Sequence, residues 1–367
     1  MDGDLILIIV VATALAFDFT NGFHDTANAV ATMISTRALS PRLAVGLAAI
    51  LNFVGAFVSI KVATTVGKGI VDAGAASTTI VFAGLVGAIA WNLVTWYFGL
   101  PSSSSHALIG GVVGATFAAK GASAIQGNGL LEKVIVPGLI APVLAFTVAA
   151  VAIVLAYRVI GRLRPGPVNR GFRLGQLLSG SLFSFAHGTN DAQKTMGIIV
   201  LALIAHGDFT EANFHVPVWV KISAATAIAL GTYVGGWRII KTMGSRIIKM
   251  DPAQGFAAQG SGAAVILASS HFGYPLSTTH VISGGVMGAG AGKRLSAVRW
   301  GVAGNIVVAW ILTLPAAAAG GATVYGITRI FGTGALGPLV VSLATLTLLA
   351  AIFGRRLVQG RTLTAEG

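Results

Sequence analysis

Eleven apolar stretches, near 5–36, 43–60, 78–99, 104–119, 134–157, 174–206, 218–236, 253–272, 275–291, 301–325 and 338–353, dominate this chain. Most approach or exceed the roughly 20 residues that a helix needs to cross a bilayer. Only 10% of the 367 residues are charged and 55% are hydrophobic, with a mean hydropathy of +0.84. Soluble domains carry about 25% charged residues, so two soluble domains of this composition could not cover their own surfaces. The main solvent is lipid. The longest polar stretches, near 158–173 and 237–252, leave no room for a soluble ATPase. The pairs Gly67-Lys68 and Gly292-Lys293 lack the flanking residues of a phosphate-binding loop. With no Cys, disulfides and thiolate metal sites are excluded. The acidic start, Met1-Asp2-Gly3-Asp4, lacks the basic flank of a cleaved signal peptide.

The net charge of +13 reads as loop bias rather than nucleic-acid binding. Basic residues gather at Arg37/Arg42, Arg158–Arg173, Arg238–Lys249, Lys293–Arg299 and Arg355–Arg361. Placing all five groups on the cytoplasmic side puts the N-terminus outside and the C-terminus inside, in a multi-pass protein of the cell membrane. Trp96/Tyr97, Trp219, Trp237 and Trp300 then fall near segment ends, as an interfacial aromatic belt would.

The chain also matches itself. Pro101–Gly114 aligns with Pro275–Gly288 as P-x-S-(S/T)-(S/T)-H-x-x-x-G-G-V-x-G, at an offset of 174. Upstream, Asn21–Asp25 aligns with His187–Asp191 at an offset of 166. The side count runs segment 5–36 inward and 174–206 outward, so the repeat is inverted. Inverted repeats with interrupted helices are a secondary-transporter architecture, with substrate held at the repeat interface. The expected fold is an all-α polytopic membrane protein of about 10–12 segments, with broken helices and re-entrant-like hairpins. It divides into a first repeat with its following span (1–157), a basic cytoplasmic linker (158–173), a second repeat (174–325), and a C-terminal span with its tail (326–367).

A Ser/Thr run after Pro, opening a glycine-rich helix, supplies caps and unpaired N–H groups that favour an anion. Ser103, Ser104, Ser105, Ser277, Thr278 and Thr279 offer hydroxyls to a tetrahedral oxyanion from two equivalent tips. Gly110/Gly114 and Gly284/Gly288 have the spacing of close helix packing. Asp25 and Asp191 lie deep in apolar segments, where a carboxylate marks function by default. Beside an anion they require a proton or a metal cation to cancel charge. Lys194 supplies positive charge next to Asp191, either to the site or merely to that carboxylate; its first-repeat counterpart is Asn28. Asp18 reads as a proton relay or an interface residue, and His24 and His187 as candidate metal or proton groups. Asn52, Asn92 and Asn305 are expected to bond between helices.

Asn21-Gly22-Phe23-His24-Asp25-Thr26-Ala27-Asn28-Ala29 resembles the N-(G/A)-x-N-D-x-A-N-A signature of the inorganic phosphate transporter (PiT) family. His187-Gly188-Thr189-Asn190-Asp191-Ala192-Gln193-Lys194 resembles the form found in bacterial low-affinity phosphate permeases, and the two Ser/Thr tips fit the same family. The resemblance covers about 15–310. It implies import of inorganic phosphate by symport with sodium or protons, often as a homodimer, and in some bacterial members as a neutral divalent metal–phosphate complex. It implies phosphate contacts from Asp25, Asn28, Asp191 and the two tips, with Asn21, Asn190 and the same carboxylates as cation ligands. His24 stands where the family usually has Asn, and Lys194 where sodium-coupled relatives carry Asn. That charge balance favours the proton over sodium, with Lys194 serving both phosphate and coupling. No resident cofactor is expected. A sulfate symporter or a sodium-coupled phosphate symporter is the alternative. An intramembrane Ser/His hydrolase is remote, because Ser105 and His106 are neighbours that cannot face each other as nucleophile and base.

Overall fold

The computed structural model describes residues 2–161 and 163–365, with side chains for 3–161, 163–348, 350 and 351. The described chain is helical: α1 (Asp2–Ser35), α2 (Pro41–Gly55), α3 (Lys61–Lys68), α4 (Thr78–Phe98), α5 (Ser104–Lys120), α6 (Gly127–Leu130), α7 (Val136–Ile160), α8 (Pro165–His206), α9 (Val218–Val234), α10 (Trp237–Lys241), α11 (Pro252–His271), α12 (Thr278–Lys293), α13 (Trp300–Ile330) and α14 (Leu336–Ala365). An isolated bridge between Val71 and Ile125 is the one β pairing among the described residues.

Four stretches, 3–35, 78–98, 127–160 and 300–330, are each long and apolar enough to cross a membrane. Burial is arranged for lipid. Leu139, Val143, Ile311 and Leu343 are more than half exposed, whereas Asp18, Asp25, Asp191 and Lys194 are at most 2% exposed. A globular protein in water would reverse those assignments.

The two repeats pack by exchange. α1 lies along α9 while its counterpart α8 lies along α2; α5 packs on α13 while its counterpart α12 packs on α7. Glycine makes these approaches possible. A Cβ on Gly110 or Gly114 of α5 would strike the carbonyls of Leu314 and Ala318 on α13. A Cβ on Gly284 or Gly288 of α12 would strike those of Pro142 and Phe146 on α7. The small-residue spacing read from the sequence is thus a packing device, used identically by both halves.

Each hairpin turns at a matched pair of residues. Gly99 (φ 65°) closes α4 and Gly273 (φ 79°) follows α11, each two positions before the proline of its tip. Both glycines adopt a left-handed conformation that other residues resist.

The broken helices expected of the fold are present, but not at the polar residues of 5–36 and 174–206: α1 and α8 run unbroken, with Asp25 and Asp191 bonded to the tips. The interruptions fall at the two tips and at a 59° bend between α9 and the α10 turn. Asn92 makes no bond between helices; it is buried with both amide atoms unpartnered, and Asn305 faces outward. Asn52 does bond across, to Thr232 on α9. The short helices α3 and α10 fall well below the length that marks a span, so hydropathy did not separate them from loops.

Contacts also sort the chain ends. Lys293 bonds Asp251 at 2.9 Å, Tyr157 bonds the same carboxylate at 2.6 Å, and Arg299 reaches the Ser245 carbonyl at 3.4 Å. The Arg238–Lys249 and Lys293–Arg299 groups therefore share one end of the bundle with the end of α7. At the opposite end, His206 closes on Asp4 and Asp208 at 3.6 and 3.1 Å. Arg162 lies outside the described residues, as do the side chains of Arg355, Arg356 and Arg361.

Candidate functional site

The tips of α5 and α12 meet the middles of α1 and α8, and each tip begins with a cap. Ser103 accepts from the His106 N–H at 3.1 Å, and Ser277 accepts from the His280 N–H at 3.2 Å. Each of these oxygens caps its own helix. Ser104, Ser105, Thr278 and Thr279 reach the other repeat motifs instead.

Their bonds follow the repeat. Ser104 donates to Asp25 Oδ1 and Thr278 to Asp191 Oδ2, at 3.3 and 3.2 Å, so each carboxylate is met by the first hydroxyl of its own repeat. The second hydroxyl crosses over. Lys194 Nζ donates to Ser105 at 2.5 Å, and Asn28 Nδ2 donates to Thr279 at 2.9 Å. Thr279 also donates to Asp25 Oδ1 at 3.3 Å. Every one of these side chains is at most 2% exposed, so the cluster is sealed from both ends of the bundle.

The halves differ in charge. Lys194 Nζ lies 2.5 Å from Asp191 Oδ1 and 2.6 Å from the Leu276 carbonyl. The second-repeat carboxylate therefore has a built-in cation. In the first repeat the corresponding side chain is the neutral Asn28, and Asp25 is faced by His24 Nδ1 at 2.7 Å. Thr95 and Ser102 hold the far nitrogen of that ring at 3.1 and 3.4 Å. Neither stood out in the sequence, since Thr95 lies outside the repeated motifs and Ser102 occupies a variable position of its tip.

His187 is oriented by a traceable chain of donors. Thr232 donates to the Ile228 carbonyl at 2.8 Å, so its oxygen accepts from Asn52 Nδ2 at 2.8 Å. The Asn52 amide oxygen then faces His187 Nδ1 at 3.0 Å, which fixes the proton on that nitrogen. Nε2 is left 3.1 Å from Asp191 Oδ2. A lone pair facing a carboxylate calls for a cation between them, either a proton or a metal. Asp25, His187 and Asp191 offer ligand atoms within 4.8 Å of one another, a set that suits a divalent ion. Of the two candidate histidines, only His187 enters this group.

Asn190 donates to Ser270 at 2.8 Å and to the Tyr274 carbonyl beside the second tip at 3.1 Å, and its amide oxygen is buried without a partner. Gln193 is structural: its amide oxygen accepts from the Val62 and Ala63 N–H groups at 2.9 and 3.3 Å, capping α3. Asn21 lies on α1 with its amide oxygen unpartnered. Ser105 is held by Lys194 and the Leu276 carbonyl, and the ammonium beside it is paired with Asp191 rather than free to act as a base.

Comparison with known proteins gives the same grouping. The phosphate transporter family model matches twice, over residues 21–170 and 162–321, following the internal repeat. A probable low-affinity inorganic phosphate transporter of Mycobacterium tuberculosis is 56% identical over 327 residues, covering 89% of this chain and 78% of that protein. One from Bacillus subtilis is 47% identical over 328 residues, covering 89% of this chain and 98% of its own length. In fold, the chain is similar to a solved structure described as the sodium-dependent phosphate transporter, with a TM-score of 0.79 at 24% identity, covering 89% and 99% of the two chains. With its two inverted halves, paired tips and both sequence motifs in one buried cluster, the chain belongs to the inorganic phosphate transporter family, and it is a transporter rather than an enzyme.

Proposed function

We propose that this protein imports inorganic phosphate by symport with a cation, binding the anion between the two Ser/Thr tips. The observation that carries this reading is the crossed pattern at the tips, in which Lys194 and Asn28 each engage the second hydroxyl of the opposite hairpin. Phosphate would replace these mutual bonds, taking donors from Ser104, Ser105, Thr278, Thr279, Asn28 and Lys194. A protonated phosphate oxygen donates back to a carboxylate such as Asp25, and this favours phosphate over sulfate.

The geometry changes the balance between the coupling ions. The expectation of a proton rested on Lys194 replacing a cation's charge, yet that charge is committed to Asp191. The carboxylates of α1 keep their need for a cation, which favours sodium as the coupling ion, as in the sodium-dependent phosphate transporter of the same fold. The Asp25–His187–Asp191 group supports a second reading for cargo, phosphate carried with a divalent metal. By the positive-inside rule the basic end is cytoplasmic, and the end holding Asp4 and Asp208 faces out.

The test is radiolabelled phosphate uptake into proteoliposomes under a sodium or a proton gradient, with and without magnesium, and with excess sulfate. Concentrative uptake that collapses with the sodium gradient and ignores sulfate is expected. Equal inhibition by sulfate, or equilibration without any gradient, contradicts the reading.

A further inference from the structure

One buried charge takes no part in the tip cluster. Asp18 on α1 is fully buried, and neither carboxylate oxygen has a hydrogen-bond partner. Thr195 of α8 and Asn21, one turn along α1, lie beside it, and Asp191 of the tip cluster is within electrostatic reach. The Thr195 hydroxyl and the Asn21 amide oxygen are also buried without partners. Lys194 lies within electrostatic reach, but its ammonium is already bonded to Asp191, Ser105 and the Leu276 carbonyl. Asp18 thus lies among buried, unpartnered polar groups with no committed cation. The counterpart of Asp18 in the second repeat, at the offset of 166, is Ser184, which bonds back to the Gly180 carbonyl. The feature belongs to one half alone.

We infer that Asp18, Asn21 and Thr195 form a sodium site separate from the phosphate cluster. The inference rests on the symport reading above. A buried carboxylate without a counter-charge is costly, and the surrounding donor set is oxygen throughout, as hard cations prefer. A single carboxylate matches a monovalent ion. Asp18 is seven residues before Asp25, about 10 Å along the helix axis, toward the end that holds Asp4. An ion entering from that end meets Asp18 before it meets the phosphate cluster, and its charge lowers the cost of bringing the anion in behind it.

The test uses full-length protein in proteoliposomes and sodium-22 binding to the purified protein. In Asp18→Asn, the sodium concentration that half-saturates phosphate uptake should rise about tenfold, equivalent to ~1.4 kcal/mol, with uptake recovered by raising sodium. Thr195→Val should shift it in the same direction by a smaller factor, and it carries the test if Asp18→Asn does not fold. Sodium-22 binding should weaken in parallel. Unchanged sodium dependence in both variants overturns the site, as does recovery by lowered pH instead of raised sodium. Wild-type uptake driven by protons and indifferent to sodium overturns the site but leaves phosphate symport standing. No uptake by wild type under any gradient overturns the symport reading itself.

Discussion

The two half-sites share a plan and differ in one charge. Asp25 and Asp191 occupy equivalent positions, each bonded by the first hydroxyl of its own tip, and the residue three positions later reaches the second hydroxyl of the opposite tip. In the second half that residue is Lys194, which neutralises its carboxylate permanently; in the first it is Asn28, which does not. The difference separates two tasks that a symmetric site would have to share. On the proposed reading the second half balances its own charge through the Lys194–Asp191 pair, and the first keeps carboxylates whose charge a coupling ion would meet.

The largest way to break the comparison is Asp191→Asn. It strands a buried ammonium, and losing one partner of a buried pair costs about 3–5 kcal/mol. Thermal unfolding in detergent should show a much larger loss for Asp191→Asn than for Asp25→Asn, which strands no lysine ammonium, although both should abolish uptake. Adding Lys194→Met to Asp191→Asn should restore stability without transport. Equal unfolding temperatures for the two single variants would show that Lys194 does not depend on Asp191.

Lys194→Asn sharpens the comparison by making the second half resemble the first. Uptake should then require more cation per phosphate, read as a steeper dependence on sodium concentration. An unchanged slope would assign Lys194 no role in charge balance. Next come the packing glycines. Gly114→Ala and Gly288→Ala each drive a methyl group into a facing carbonyl, and each should cost about 1–3 kcal/mol. Similar losses are expected because the contacts are equivalent; a loss in one half only would break the packing symmetry.

The smallest effect is expected at Asp251, which caps α11 in a reciprocal arrangement with Gln254. Burial pulls its carboxyl upward, but the Tyr157 hydroxyl, the Gln254 N–H and Lys293 outweigh that and hold it below the usual carboxylate range. Its stabilisation is therefore present above the ordinary carboxylate pKa and disappears as pH falls through the depressed folded value. Asp251→Ala should cost about 1 kcal/mol, measurable as a lowered unfolding temperature at neutral pH that merges with wild type in acid. The exposed bond to Lys293 adds little.

Much of this was legible in the sequence because a bilayer imposes strong signals. Long apolar runs gave the principal helices, and the repeated P-x-S-(S/T)-(S/T)-H segments gave the tips. Intramembrane Asp25 and Asp191 stood out by cost alone. Partner choice was not legible. That Ser103 and Ser277 cap while their neighbours cross over depends on helix phase at the tip. The exchange that puts α5 on α13 and α12 on α7 is set by tertiary packing, although the glycines permitting it were visible. Asn190 matched a motif yet turns toward Ser270, and Thr95 matched none yet holds His24.

The most direct measurement places wild type, Asp25→Asn and Lys194→Asn in matched proteoliposomes and follows radiolabelled phosphate against an imposed sodium gradient. Wild type should accumulate phosphate, Asp25→Asn should not, and Lys194→Asn should accumulate it only at higher sodium. Accumulation by Asp25→Asn at the wild-type rate would contradict the account, because the first-half carboxylate would then carry neither the anion nor its coupling ion.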